Sequence, residues 1–384
     1  MSARRAVAHV LHTYLGLTET FIHEYLAAFR TVRPVVVARS LSNLDLFPLP
    51  PGAELHQSPP ARGTAAWAAA AVRRRLRGGE PHLEGILADA GVTVVHAHSG
   101  PTACEVQVVC ARADLPLVTS FYGYDASMTG VLHEFEERYR SLFARGAAFM
   151  VEGSAMKRKL VALGCPPDKL HLQRIAIDPA RYPFRLRDRS PQGTVTFLQC
   201  GRMVPKKGYD LALRALAEAR RRDPRLQLRI LGDGPERESL TALILELGLD
   251  GAVTLLGRGP RTLFLEELAR ADLYLQPSRV APDGDSEGGA PTTLLEAQAC
   301  GLPVLSSRHA DIPEIVREGE SALLVDEEDV AGLAEAMVTL ARSPQRWPGM
   351  GRAGRAHVEA HHDVRKLASA LEALYGALSV RTPA

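Results

Sequence analysis

Glu287 and Glu296 flank a glycine-rich loop that runs into a helix-forming stretch, Ser286 to Gly301, SEGGAPTTLLEAQACG. Pro291 suits the first turn of that helix, because its missing N–H would be unpaired there anyway. The free N–H groups of the turn, near Thr292 and Thr293, offer an anion site backed by the positive end of the helix dipole. Glu296 lies four residues beyond Thr292 and projects on the same face. Phosphate at a helix start and a carboxylate one turn later suit a nucleotide, with the ribose hydroxyls on Glu296. In a second stretch, GRMVPKKG at 201–208, Arg202 and Lys207 follow the strand-like run Val195 to Cys200 and supply countercharge for a diphosphate.

The elements that must position these groups alternate strand-like and helix-like from residue 6 onward, the pattern of an α/β parallel sheet. AVAHVLH, RPVVVAR, VTVVHAH, LPLVTSF, AAFMVEG and KLHLQRI read as strands, with a helix from Thr18 to Arg30 capped by Thr18 and helical runs at 61–77 and 81–90. The proline-rich stretch 41–60 reads as loop. A charged Pro/Gly-containing linker at 183–193 precedes a second alternating unit whose strands are TVTFLQCGR, RLQLRILGDGP, AVTLLGR, DLYLQPS, LPVLSS and SALLVD. The expected domains are 1–185, 194–360 and a C-terminal helical segment 361–384. Two doubly wound domains place a ligand in the cleft between them, at the carboxyl ends of the strands.

Both site stretches resemble the retaining glycosyltransferases of family 4, which have the two-domain GT-B fold. Gly201, Arg202, Lys207 and Gly208 match the family's GR-x-x-x-x-KG, and Glu296 to Val304 match E-A-x-A-x-G-x-P-V. The resemblance runs over most of 194–340 and more thinly over the N-terminal half. It implies two Rossmann-like domains facing across a cleft, with the last helix crossing back to the first domain. One departure stands out: eight residues separate Glu287 from Glu296 where the family has seven, which puts Gly288 at the family's position. Either the loop bulges at Gly288–Gly289 and Glu287 keeps the first-glutamate role, or that carboxylate is displaced. Glycine makes the bulge inexpensive.

Other candidates sit at strand ends. Strand alternation puts His96 and His98 on one face; in the resembled family the second histidine of such an H-x-H stands next to the transferred sugar, which points to His98 as catalytic with Glu287. Gly16, in the first strand-to-helix loop, lets backbone approach a phosphate or sugar, and Thr18-Glu19-Thr20-Phe21 resembles a segment of exopolysaccharide-building members. Tyr122 replaces the histidine of the family's H-G-x-D, and Tyr122, Asp125 and Glu19 are acceptor candidates. Gly234, in a Gly-x-Gly at a strand end beside the cleft, fits a loop bordering the nucleotide. Arg258 lies in a segment that in the family lies against the base, with a solvated surface arginine as the alternative. Asp283 and Asp285 mimic a metal-binding D-x-D but lie in a Pro/Gly-rich loop and read as structural, so no metal and no cofactor are expected. Arg73, Arg74, Arg75 and Arg77 follow an alanine-rich run with Trp67 and suit contact with anionic lipid, against the alternative of a solvated face.

Composition bounds the rest. The 384 residues allow two or three domains, and 46% hydrophobic with 23% charged residues are ordinary for a globular protein. The net charge of +2 divides into +6 over residues 1–190 and −4 over 191–384, too mild for a nucleic-acid binder. Five cysteines without metal spacing read as free thiols, and neither a spanning segment nor a signal peptide is recognisable, so a cytoplasmic location is expected, with peripheral contact at the inner membrane face as the open alternative. The resemblance implies transfer of a sugar, with retention, from a UDP- or GDP-sugar to a hydroxyl on a saccharide or lipid-linked glycan. The rival readings are a nucleotide-sugar epimerase and a non-catalytic sugar-nucleotide or partner-binding protein.

Overall fold

The computed structural model describes residues 4–16, 19–60, 63–77, 80–188, 193–289 and 291–380, without the side chains of residues 66, 70, 73, 74, 76 and 77. The chain divides into two compact units, 1–176 with 364–384 and 177–363.

The first unit holds seven strands: β1 (Arg5–Tyr14), β2 (Val32–Leu41), β3 (Glu54–Gln57), β4 (Val92–His98), β5 (Leu117–Ser120), β6 (Ala148–Val151) and β7 (Leu170–Leu172). They form one sheet in the order β3-β2-β1-β4-β5-β6-β7, every pairing parallel. The run Val35, Val36, Val37, Ala38 is buried on both faces, as a strand covered by helices on either side must be. The four-residue β3 falls within the stretch 41–60 that the sequence suggests is loop. Its polar ELHQ has no apolar alternation, and it forms only as a half-buried edge beside β2. The first helix spans Thr20–Ala28, two residues shorter at each end than expected; the cap expected at Thr18 lies outside the described residues.

The helix Val364–Ser379 belongs to this first unit. Its Tyr375 and Leu371 are buried against the sheet-facing helix Thr20–Ala28 and β4. Glu372 Oε1 accepts the N–H groups of Arg30 at 2.8 Å, Thr31 at 2.6 Å and Val32 at 2.9 Å, which fastens the helix to the turn entering β2.

The second unit has β8 (Val195–Cys200), β9 (Leu226–Leu231), β10 (Val253–Gly257), β11 (Leu273–Gln276), β12 (Val304–Ser307) and β13 (Ala322–Val325), in the order β10-β9-β8-β11-β12-β13. Counted from its own first strand this is 3-2-1-4-5-6, the doubly wound order whose switch point lies between the first and fourth strands. Fully buried Phe197, Leu198, Leu228, Ile230 and Leu275 form the sheet's share of the core, each contributing up to roughly 1.5–3 kcal/mol of burial. Residues 182–187 pack inside this unit: Arg185 N–H donates to Cys300 O at 3.2 Å, and the Arg187 guanidinium donates to Leu268 O at 2.7 Å and Ala269 O at 3.0 Å. The division at 176/177 therefore falls upstream of the 183–193 linker.

Candidate functional site

In the second unit the loops leaving β8 and β11 meet at the switch point. Gly208 permits it: its φ is +62°, and a Cβ there would sit 2.0 Å from Pro277 O. Left-handed backbone and close approach together admit only glycine. Immediately before it, Lys207 ends the short 3-10 turn Pro205–Lys207, and its Nζ lies 2.7 Å from Glu287 Oε1. Ser278 Oγ donates to the same oxygen at 2.9 Å. Lys206 pairs with Asp285 at 3.0 Å and donates to Ser286 O at 3.2 Å. Burial by itself would push the Glu287 carboxyl up, but the Lys207 and Lys206 ammoniums outweigh it and hold the carboxyl below its ordinary range. Glu287 thus reaches Lys207 with eight residues, not seven, between it and Glu296.

The helix that follows spans Thr292–Ala299 and opens one residue later than expected: Pro291 stands before it with an extended ψ of 124°. Half-buried Thr292 and Thr293 occupy its first positions, whose N–H groups have no partner within a helix. Glu296 is 4% exposed, and its Oε1 accepts the Tyr182 hydroxyl at 2.6 Å and Arg261 Nη1 at 3.0 Å. Arg261 also donates to the Tyr182 oxygen and lies 5.0 Å from that ring's centroid, closing a triangle of three side chains. Burial and the Glu296 carboxylate push the Tyr182 phenol well up, so it stays a donor. Gly234 is a close-approach glycine: a Cβ would meet Met203 O at 2.4 Å. Arg202 and Arg258 are exposed. Asp283 accepts the Asp285 N–H at 3.0 Å while Asp285 holds Lys206, so the two carboxylates organise the loop.

In the first unit the switch point lies between β1 and β4, where His9 is in register with His96. His9 Nδ1 lies 3.0 Å from His98 Nε2, and His98 Nδ1 lies 2.7 Å from the Tyr122 hydroxyl. His96 uses both nitrogens, on Tyr375 at 2.6 Å and Ser120 at 2.8 Å. Burial, reinforced by neighbouring imidazoles, lowers His9 and His96 well below the ordinary histidine range, and burial pushes His98 down to about 3. The cluster is therefore a set of neutral rings at neutral pH. Among the described residues, these histidines form the group of three whose ligand atoms approach within 4.8 Å of one another. Their nitrogens are already committed to hydrogen bonds except His9 Nε2, so the donor set reads as a hydrogen-bond network. Aromatic and aliphatic side chains, among them Phe21, Tyr25, Phe29 and Leu371, line a cavity beside it.

The neighbouring candidates divide. Gly16 N–H donates to Glu19 Oε2 at 2.6 Å, and burial raises the Glu19 carboxyl while that amide pulls it back. Asp125 is fully buried and accepts the N–H groups of Gly100 at 3.0 Å, Tyr122 at 3.0 Å and Gly123 at 3.1 Å. Burial pushes it up to about 6 against those amides. Its carboxylate shapes the loop after β5 and faces no solvent. On the helix Ala65–Arg77, Trp67 and Arg75 are exposed; the side chains of Arg73, Arg74 and Arg77 lie outside those described. Among the described residues no helix is long and apolar enough to cross a membrane. Sequence reasoning missed Lys206, Ser278, Tyr182, Arg261 and His309 in the second unit and His9 in the first. Only the doubled lysine of PKKG and the alternation of β1 carried any signal for them.

Two open, parallel, doubly wound sheets with polar groups gathered at each switch point define the fold class: two Rossmann-like units of the GT-B kind. Residues 184–357 match the family described as glycosyl transferases group 1, and the chain belongs to that family. It is 34% identical to the amylovoran biosynthesis glycosyltransferase AmsK of Erwinia amylovora over 67% of this chain and 64% of that protein. It is 33% identical to the provisionally named colanic acid biosynthesis glycosyltransferase WcaL of Escherichia coli K12 over 72% of this chain and 70% of that one. The matched stretch spans just under two thirds of AmsK and of the Salmonella typhimurium WcaL, at 64% and 61% of their lengths. Among solved structures, Anabaena HepE in complex with UDP and glucose superposes with a TM-score of 0.77 at 17% identity, covering 97% of this chain and all of that one. Sucrose-phosphate synthase from Thermosynechococcus elongatus gives 0.79 at 16% identity over 99% of this chain. At such identities these two likenesses speak for the fold alone.

Proposed function

We propose that the protein transfers a sugar, with retention of anomeric configuration and without a metal, from a UDP- or GDP-sugar to a hydroxyl of a saccharide or lipid-linked glycan. The observation that carries this reading is the Lys207–Glu287 pair, set at 2.7 Å where the loops of β8 and β11 converge. In this reading an incoming diphosphate competes with Glu287 for Lys207, Arg202 swings onto it from solvent, and the amides at Thr292 and Thr293 receive its oxygens. Charge building on the departing diphosphate then meets preorganised positive groups, which is usually the largest catalytic contribution. Glu287, released toward the sugar, holds its hydroxyls, and Glu296 exchanges its Tyr182 or Arg261 contact for the ribose. Gly234 and Arg258 border the nucleotide.

In this reading the acceptor lies on the first unit, with Glu19 and Tyr122 at the strand ends, while Gly16 lets backbone approach a phosphate or sugar there and His98 is held neutral. Amylovoran and colanic acid synthesis, named for the relatives, favour a glycan acceptor. The exposed Trp67 and Arg75 favour peripheral contact with an anionic membrane surface, and five unpaired cysteines favour a reducing, cytoplasmic compartment. The test is a thermal-shift screen with UDP, GDP, ADP and CMP on the unaltered protein, Arg202→Ala and Lys207→Ala. A nucleotide at about 100 times its dissociation constant adds about 2.7 kcal/mol of stability. One nucleotide stabilising the unaltered protein and neither variant supports the reading; no shift with any of them sinks it.

A further inference from the structure

Glu287 is held from a side that the donor reading does not use. After β12 the chain runs through His309 to Ala310, whose φ of +47° is left-handed for a residue with a Cβ. That turn brings two groups onto the glutamate loop. Asp311 N–H donates to Gly289 O at 2.9 Å, and the imidazole of His309, 1% exposed, lies under Glu287. Its Nε2 accepts the Glu287 backbone N–H at 3.2 Å and lies 3.1 Å from Ser286 Oγ. A backbone N–H can only donate, so Nε2 carries the lone pair and the ring proton is on Nδ1. Nδ1 donates to Glu327 Oε1 at 2.8 Å, while Glu327 Oε2 accepts Val280 N–H at 3.0 Å. Glu327 therefore fixes the ring and the start of the same loop, and His309 with Asp311 fixes its end.

We infer that His309, oriented by Glu327, is a positioning residue that sets the Glu287 carboxylate against Lys207. This rests on the reading of Glu287 as a donor contact. It also accounts for the extra residue before Glu296: the slack is taken up beyond Glu287, at Gly288–Gly289, because Glu287 N–H and Gly289 O are each gripped from the segment after β12. Glu287 is the fixed end of the loop, and spacing from Glu296 does not set its place.

The test uses the full chain with His309→Ala, His309→Gln and Glu327→Gln, and with Glu287→Gln as reference. Amide hydrogen exchange over 280–289 needs no substrate. The expected result is about tenfold or more faster exchange in His309→Ala, with near-normal protection in His309→Gln, which keeps an acceptor at the Glu287 amide, and unchanged β8. Unchanged exchange over 280–289 in His309→Ala overturns the proposal. Nucleotide release from UDP-glucose and GDP-mannose then separates positioning from general support. His309→Ala should lower kcat about tenfold with KM within about twofold, and should cost nothing further once Glu287→Gln is present. Losses that multiply in the double variant overturn the proposal. If Glu287→Gln alone releases nucleotide at the normal rate, the donor-contact reading of Glu287 fails, and the exchange result still decides whether His309 holds the loop.

Discussion

Lys207 and Glu287, eighty residues apart in the chain, face each other at 2.7 Å with side chains only 15% and 7% exposed. A carboxylate so placed depends on its partner, since removing one member of a buried pair leaves an uncompensated charge. Lys207→Met is expected to destabilise the second unit by about 3 kcal/mol, at the lower end for buried pairs because Lys206 and Ser278 remain. Adding Glu287→Leu should restore most of that stability without restoring nucleotide binding. Chemical denaturation of the two variants checks both halves; a Lys207→Met protein as stable as the parent contradicts the first.

The imidazole cluster predicts an acid limb in the stability of the first unit. His98 is lowered from 6.5 to about 3, with His9 and His96 lowered alongside it. Between those values the unfolded chain binds more protons than the folded one, so stability rises with pH there and is lost as pH falls below 6.5. Each such histidine costs up to about 1.4 kcal/mol per pH unit. The melting temperature of the first unit should fall between pH 7 and pH 5, and less steeply in His9→Phe, which removes one of the three buried imidazoles together with its 3.0 Å contact to His98 Nε2. A flat profile over that interval contradicts the buried, neutral cluster.

Two glycines with nearly the same backbone separate conformation from crowding. Gly208 and Gly248 have φ of +62° and +64°, but a Cβ meets Pro277 O at 2.0 Å at the first and open space at the second. Gly248→Ala should cost about 1 kcal/mol, the price of left-handed backbone, and Gly208→Ala distinctly more. Equal losses in paired denaturation curves would remove the close approach of the β8 and β11 loops as the reason for Gly208.

Glu296 gives a prediction about the nucleotide. With Tyr182 and Arg261 on one carboxylate oxygen, Arg261→Ala should free Glu296 to reorient and weaken binding of the stabilising nucleotide several-fold, whereas Tyr182→Phe, which leaves the Arg261 ion pair on that oxygen, should weaken it less. Calorimetric titration of the two variants distinguishes them; the reverse ranking would make Tyr182 the group that orients Glu296.

What was legible in the sequence followed local spacing. Lys207, Gly208 and Glu296 sit in short runs whose period and residue types carry a mechanism, and the alternation of strands and helices foretold both sheets. Tyr182, Arg261 and His309 carry no such pattern. They reach the site from elements 114, 35 and 22 residues away from their partners, and only the packed fold brings them there. Asp125 was legible as a residue type at a strand end, yet its carboxylate serves three backbone amides, which sequence spacing does not distinguish from contact with a ligand. The short β3 has no periodicity to read, because its neighbour β2 supplies the pairing that makes it a strand.

The three amides gathered by Glu372 set an order of assembly on the ribosome. The first unit's sheet is synthesised early, but the helix that covers His96 through Tyr375 and seals the turn into β2 is made only after all of the second unit has emerged. The later-encoded unit is continuous and can complete itself co-translationally. The earlier one must wait, open along one flank, for the last segment to arrive.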